Sequence, residues 1–440
     1  MGRRSTLAIA VVMAALASGP AAALDIEGVQ PAALDQPRVN VLVQRAAGKQ
    51  ILVATVDGQR TANVEAFLDT GASSSVLSFH TVNELGVVGE KTTKGNPVRF
   101  SDVGLGGESQ FAVSEPLLLS IGPSNSDPDI PTDARSLAVQ YPVTSGPVRT
   151  EIGPLTQSND LLASLAVADL DVVGEPVIGG RVIVMDMSGV NRVSDKIHTT
   201  LVDPRNKSMA SLIPPTKLHV KLSHANFAAF TKIAPAGADG PTLASNPFIG
   251  PAPVTTAGSA RQNDAASPPA GGGTSTLLAS FAGKSIAGSW LLDSGAVSSM
   301  ISQKNAAALG IHYDPKTVDS DHPRLLGISV DKQFTMSVAG VGGAGRHAAG
   351  FFLDTLVLRT TEGEPLRFVH APVLVTDITL KDQTDGHLYT LDGVLGMNFL
   401  TASAKLDTSA LLPDVTNLTA GAFRYVVIDE RAGILGVTPN

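Results

Sequence analysis

The sequence predicts an all-β protein built as two similar lobes, and three observations lead there. The first is composition. The chain has 440 residues, 43% hydrophobic and only 16% charged, with 43 glycines and 28 prolines. That length suits two domains of roughly 100–200 residues better than one. The glycine and proline content argues against a long-helix or coiled-coil protein and favours many short strands joined by turns. The second observation is an internal repeat. Asp69-Thr70-Gly71-Ala72-Ser73-Ser74-Ser75-Val76-Leu77-Ser78 returns as Asp293-Ser294-Gly295-Ala296-Val297-Ser298-Ser299-Met300-Ile301-Ser302, 224 positions later. Across 69–87 and 293–311, 8 of 19 positions are identical. The third is that further landmarks keep the same order. Gly104-Leu105-Gly106-Gly107 pairs with Gly340-Val341-Gly342-Gly343, and Val172-Val173-Gly174 with Val394-Leu395-Gly396. From Asp to that last Gly is 105 residues in one half and 103 in the other.

Taken in order, residues 1–23 read as a signal peptide. Arg3 and Arg4 form a basic head, 7–17 an apolar stretch, and Ala21-Ala22-Ala23 a small-residue cleavage site. The stretch is too short for a bilayer, which needs about 20 residues. Export to a bacterial envelope is therefore expected, periplasmic or secreted, with no stable membrane insertion after cleavage. Residues 24–37 form an N-terminal extension and 38–235 the N-terminal lobe. In each lobe a strand, Asn63–Leu68 and 288–292, carries the Asp out at its end. Ser78 and Ser302 read as N-caps of short helices that Gly86 and Gly310 terminate. Residues 218–222 alternate like a strand that can close the first lobe or open the second. The segment 236–276 reads as an interlobe linker, since 21 of the 26 residues in 251–276 are Pro, Ala, Gly, Ser or Thr. The C-terminal lobe, 277–440, ends in a strand, turn and strand at 423–429 and 433–437.

Several chemistries are excluded. The chain has no cysteine, so disulfides, thiolate nucleophiles and cysteine metal sites are out. The formal charge is −8, and −10 once the signal is removed, with no basic run in the body. No nucleic-acid partner is expected. The nine histidines form no His-Glu-x-x-His motif, and no Gly-x-Ser-x-Gly elbow occurs. Asp127-Pro128-Asp129 and Asp319-Ser320-Asp321 lack the ligand spacing of a calcium loop and read as solvated loops. Neither a metal nor an organic cofactor is expected.

The paired turns define a different chemistry. Packed about a pseudo-twofold axis, they bring Asp69 and Asp293 together, and two carboxylates at close range share one proton. The ionised member can take a proton from a water held between them, and the protonated member can hydrogen-bond a carbonyl oxygen under attack. Gly71 and Gly295 let backbone pass close to the acids. The hydroxyls of Thr70 and Ser294 can bond across the axis and lock the pair.

These motifs resemble those of the pepsin and retropepsin aspartic proteases, with both halves in one chain. Gly393-Val394-Leu395-Gly396-Met397-Asn398-Phe399-Leu400 is especially similar to that family's second signature. The resemblance spans most of 51–400, strongly in three short windows per lobe. It implies two acid-protease-type β-barrel lobes with short helices, and Asp69 and Asp293 as the catalytic pair. It makes Thr70 and Ser294 bracing hydroxyls and places Gly71 and Gly295 beneath the carboxylates. It also implies that Gly104, Leu105, Gly106 and Gly107, or Gly340, Val341, Gly342 and Gly343, are flap tips over a substrate. The expected function is an aspartic endopeptidase acting, as a monomer, on peptide or protein substrates. The alternative is a catalytically silent envelope protein that binds a peptide or cell-wall component. No pepsin-like flap tyrosine, cysteines or basic propiece is present. Ala72 and Ala296 stand where pepsins carry a hydroxyl residue, as in retropepsins. One donor fewer to the ionised carboxylate raises its pKa. Peptide hydrolysis is therefore expected to reach milder acid than pepsins tolerate; a pH profile confined to strong acid would contradict this.

Overall fold

Each Asp turn sits at the end of a strand whose neighbours are the same in both halves. The computed structural model describes residues 23–105, 107–153, 170–192, 195–228, 243–251, 277–340, 343–381, 388–402 and 421–440. Of the expected signal segment, all but Ala23 lies outside them. The first half runs β1 (Leu24–Ile26), β2 (Arg38–Arg45), β3 (Asn63–Leu68), β4 (Val76–Leu77), α1 (Phe79–Leu85), β5 (Arg99–Gly104), β6 (Gly107–Val113), β7 (Leu117–Gly122), β8 (Glu151–Ile152), β9 (Val172–Val173) and α2 (Glu175–Ile178). Then come β10 (Val182–Asp186), β11 (His198–Val202), β12 (Leu218–Ala228) and β13 (Leu243–Ile249). The second half continues with β14 (Trp290–Leu292), β15 (Met300–Ile301), α3 (Gln303–Leu309), β16 (Gln333–Gly340), β17 (Gly343–Leu358), β18 (Leu366–Val375), β19 (Gly393–Leu395), α4 (Met397–Leu400), β20 (Phe423–Asp429) and β21 (Ile434–Pro439).

The fold is all-β and two-lobed. In the first lobe β2, β3, β9, β4, β8 and β6 lie side by side; in the second, β13, β14, β19, β15, β18 and β17 do. The parallel pairs β3/β9 and β4/β8 recur as β14/β19 and β15/β18. On β3 the alternation is direct: Val64, Ala66 and Leu68 are buried while Glu65 is exposed, the period of two that a one-sided strand requires. β14 has no polar face, since Trp290, Leu291 and Leu292 are all buried. Trp290 and Leu292 share a buried cluster with Phe368, which packs edge-on against Phe399 with centroids 4.8 Å apart. Each such buried side chain stabilises the fold by about 1.5–3 kcal/mol.

The short helices follow their caps. Ser78 accepts from Thr81 N and Ser302 from Asn305 N, while Gly86 and Gly310 adopt the left-handed backbone at φ 66° and 90°. The strand expected at 288–292 begins only at Trp290. Ser289 N turns instead to the Asp392 carboxylate, 3.0 Å away.

The segment left unassigned in the sequence joins the halves. β12 pairs with β21 through 218–221 and with β13 through 222–228. Residues 243–249 belong to the stretch read as linker, yet they form β13, which pairs with β14. Their Ala-Ser-Asn-Pro run hides the strand from any composition count. The sheet β11–β10–β20–β21–β12–β13 thus draws strands from both halves, with the C-terminal hairpin at its centre. The N-terminal extension is also anchored: β1 pairs in parallel with β18, and Asp25 forms an ion pair with Arg367. Among the described residues no helix is long and apolar enough to cross a membrane.

Candidate active site

β3 and β14 end at Leu68 and Leu292, both with no exposed surface, and the chain turns at the acids. Asp69 N donates to Val173 O and Asp293 N to Leu395 O, each at 3.0 Å. The two apolar-apolar-Gly steps therefore pin both acids at the strand ends. Within each turn one carboxylate oxygen accepts two backbone amides. Asp69 Oδ1 takes Gly71 N at 2.7 Å and Ala72 N at 3.1 Å. Asp293 Oδ1 takes Gly295 N at 2.8 Å and Ala296 N at 2.9 Å. The turns face one another and the two carboxyls are hydrogen-bonded. Glycine is required here by close approach. A Cβ on Gly71 would stand 2.5 Å from Asp293 Cγ, and one on Gly295 would run into the Asp69 carboxylate.

The hydroxyls cross the axis. Thr70 Oγ1 donates to Leu292 O at 2.7 Å and accepts from Ser294 N at 3.1 Å. Ser294 Oγ donates to Leu68 O at 2.7 Å and accepts from Thr70 N at 3.1 Å. Thr70 and Ser294 are fully buried, so an orphaned partner has no water to turn to. Thr70→Val keeps the shape and strands two backbone groups. At about 1–3 kcal/mol for each unsatisfied group, a loss of about 2–6 kcal/mol is expected. A lowered urea midpoint at unchanged slope would register it.

A second cross-axis brace escaped the sequence reading. Asn246 on β13 donates to Thr70 O at 3.1 Å and Gly71 O at 3.0 Å. Gln36, just before β2, donates to Gly295 O. In register, Arg38 pairs with Phe67 and Phe248 with Leu291, each partner lying two residues before its Asp. Gln36 and Asn246 each lie two residues before that pairing, so they are equivalent under the twofold. Their distances from the two acids along the chain differ, which hides the equivalence from a spacing comparison.

Burial raises the pKa of both acids. Asp293 is pushed well above the ordinary range, by burial first and then by the Asp69 charge, which opposes its ionisation. Asp69 is held back by the hydrogen bond from the Asp293 carboxyl first, and then by amide donors from Gly71, Ala72 and Gly295. The shared proton therefore sits on Asp293 and the charge on Asp69. Behind them lies a third acid that the sequence reading passed over. Glu175, first residue of α2, is buried with neither carboxylate oxygen hydrogen-bonded. Burial first, then the charges of Glu430 and Asp69, push its pKa far up. Glu430 in turn meets His224 Nε2 at 2.7 Å.

The acids line a cleft of about 510 Å³, within the usual size range of ligand pockets. Both glycine-rich segments are hairpin tips: Gly104 pairs with Gly107 and Gly340 with Gly343. Leu105 and Gly340 line the cleft. They also meet, since a Cβ on Gly340 would lie 3.1 Å from the Leu105 Cβ. Gly106, Val341 and Gly342 lie outside the described residues.

No protein-family model matches the chain, and no curated protein matches it. Among solved structures it is similar to basic 7S globulin from soybean, at 10% identity, 92% of this chain, 97% of that chain and a TM-score of 0.34. Conglutin gamma, a basic 7S globulin from lupine seeds, aligns at 10% identity over 92% of this chain and 96% of that chain, with a TM-score of 0.30. Likenesses this loose carry no functional argument.

Proposed function

We propose that the chain is an exported aspartic endopeptidase. An extended peptide lies across the cleft and pairs its backbone with the hairpin edges by strand addition. Water held between the acids attacks the scissile carbonyl carbon, passing a proton to Asp69 while Asp293 gives its proton to the carbonyl oxygen. Collapse of the tetrahedral species breaks the C–N bond. Asp69 protonates the leaving nitrogen, and the hydroxyl proton returns to Asp293. The scheme needs neither metal nor organic cofactor, and one chain supplies both acids, so a monomer suffices.

The observation that carries this reading is the hydrogen-bonded Asp69–Asp293 pair on cross-braced twin turns that line a cleft. Digestion of a peptide library across pH, with and without a pepstatin-like inhibitor, tests it. Inhibitor-sensitive cleavage is expected. Inhibitor binding without any cleavage would replace hydrolysis by the binding of a peptide or cell-wall component. Export rests on residues 1–23, and fractionation of cells expressing the full chain checks it.

A further inference from the structure

The pseudo-twofold axis gives each cleft residue of one half a counterpart in the other, and at one place the counterparts differ in kind. Asp102 lies two residues before the Gly104 end of β5, as Val338 lies two before the Gly340 end of β16. Glu151 on β8 stands opposite Val76 of β4, as Leu374 on β18 stands opposite Met300 of β15. Asp102 and Glu151 thus take in the first lobe the places of Val338 and Leu374 in the second. Val338, Met300 and Leu374 belong to one buried apolar cluster. Their first-lobe counterparts include two acids.

The acids face the cleft in depth. Asp102, Ser74 and Val76 line it, as Val338, Ser298 and Met300 do across the axis. Glu151 lies behind with no exposed surface. Its Oε1 accepts from Ser74 Oγ, its Oε2 has no hydrogen-bond donor, and its carboxyl meets that of Asp102. A carboxyl oxygen buried without a donor is costly until a proton or an incoming donor satisfies it. Burial and the Asp102 charge push Glu151 well above the usual carboxyl range, so the two neighbouring acids do not both ionise freely. Among the described residues lining the cleft, the charged side chains are Asp69, Asp293 and Asp102, and none is basic.

We infer that the cleft selects peptides with lysine or arginine on one side of the bond to be cut, seated against Asp102 with Glu151 behind it. At the symmetry-related position on the other side it takes an apolar side chain, seated against Val338 and Met300. The inference rests on the proposed function in one respect, that the scissile bond lies on the axis between the two acids. A cationic donor against a partly buried carboxylate makes a strong, short hydrogen bond that an uncharged isostere cannot. The reversed arrangement would bury the cation against Val338 and Leu374 without a partner, which supplies the rejection that specificity needs.

Binding of non-hydrolysable peptides, measured by calorimetry, tests this without requiring cleavage. The probes are a peptide pair with a reduced central bond that differs only in lysine or norleucine at the position facing Asp102. Wild type is expected to bind the lysine peptide at least about tenfold more tightly. Asp102→Val, which installs the residue found across the axis, is expected to erase or reverse that preference, and Asp102→Asn to weaken it. Equal affinities in wild type, or a lysine preference untouched by both substitutions, would overturn the inference. A lysine preference without cleavage of the matching natural peptide would count against hydrolysis alone and leave the subsite standing.

Discussion

Replacing Asp293 by Asn is expected to lower kcat/KM for peptide hydrolysis by about 10³-fold or more while the fold persists. Positioned acid–base groups each contribute roughly 10²–10⁴ in rate, and this substitution removes the proton that the carbonyl oxygen must receive. The amide has the shape of the acid, and its oxygen can still accept from Gly295 N and Ala296 N. Its NH₂ can still donate to Asp69. Asp69→Asn removes the base instead and is expected to be as severe, because the two acids act as one unit. Circular dichroism and the urea midpoint separate lost chemistry from lost structure. Cleavage by folded Asp293→Asn at the wild-type rate would end the hydrolytic proposal.

The second large effect is on stability against pH. Glu151, Glu175 and Asp293 have pKa values pushed well above the ordinary range, and Glu430 and Asp171 are raised as well, burial being the leading cause for each. The sign follows from proton uptake. Above the unfolded value, 4.5 for glutamate, the unfolded chain has released protons that the folded chain retains. Stability is therefore full below that value and falls as pH rises towards the folded one. Each such group can contribute a slope of up to about 1.4 kcal/mol per pH unit. Asp203 and Glu362, lowered to about 2 by Arg205 and by His219 and its backbone amide respectively, act the other way. Their effect is confined to acid below about pH 4, so stability should peak near pH 4–5. Glu175→Met installs the residue found at the equivalent first position of α4, where Met397 is fully buried. It is expected to flatten the decline and to stabilise the protein at pH 7 by about 1–3 kcal/mol. Urea midpoints between pH 4.5 and 8 measure both. An unchanged slope in Glu175→Met would mean that this carboxyl ionises as freely folded as unfolded.

Local features explain why so much of the site was legible. The cap serines, the left-handed Gly86 and Gly310 and the apolar-apolar-Gly steps are short-range instructions to the backbone, and the duplication prints each twice. The strand β13 was not legible, because Asn246 and Pro247 interrupt its apolar pattern and its partner β14 lies beyond the whole 251–276 stretch in the chain. For the same reason Gln36 stayed hidden: nothing nearby in the chain tells a glutamine that its carbonyl partner is Gly295.

From the sequence alone came the all-β class, the doubling and the two Asp turns, since those depend on local backbone conformation and on repetition. Tertiary structure alone decided which side chains come together: the Gln36 and Asn246 braces, the buried Glu175, and the Asp102–Glu151 pair at the places that Val338 and Leu374 take in the other lobe. Strand register sets those meetings, and register is the outcome of long-range packing that no short window of residues encodes.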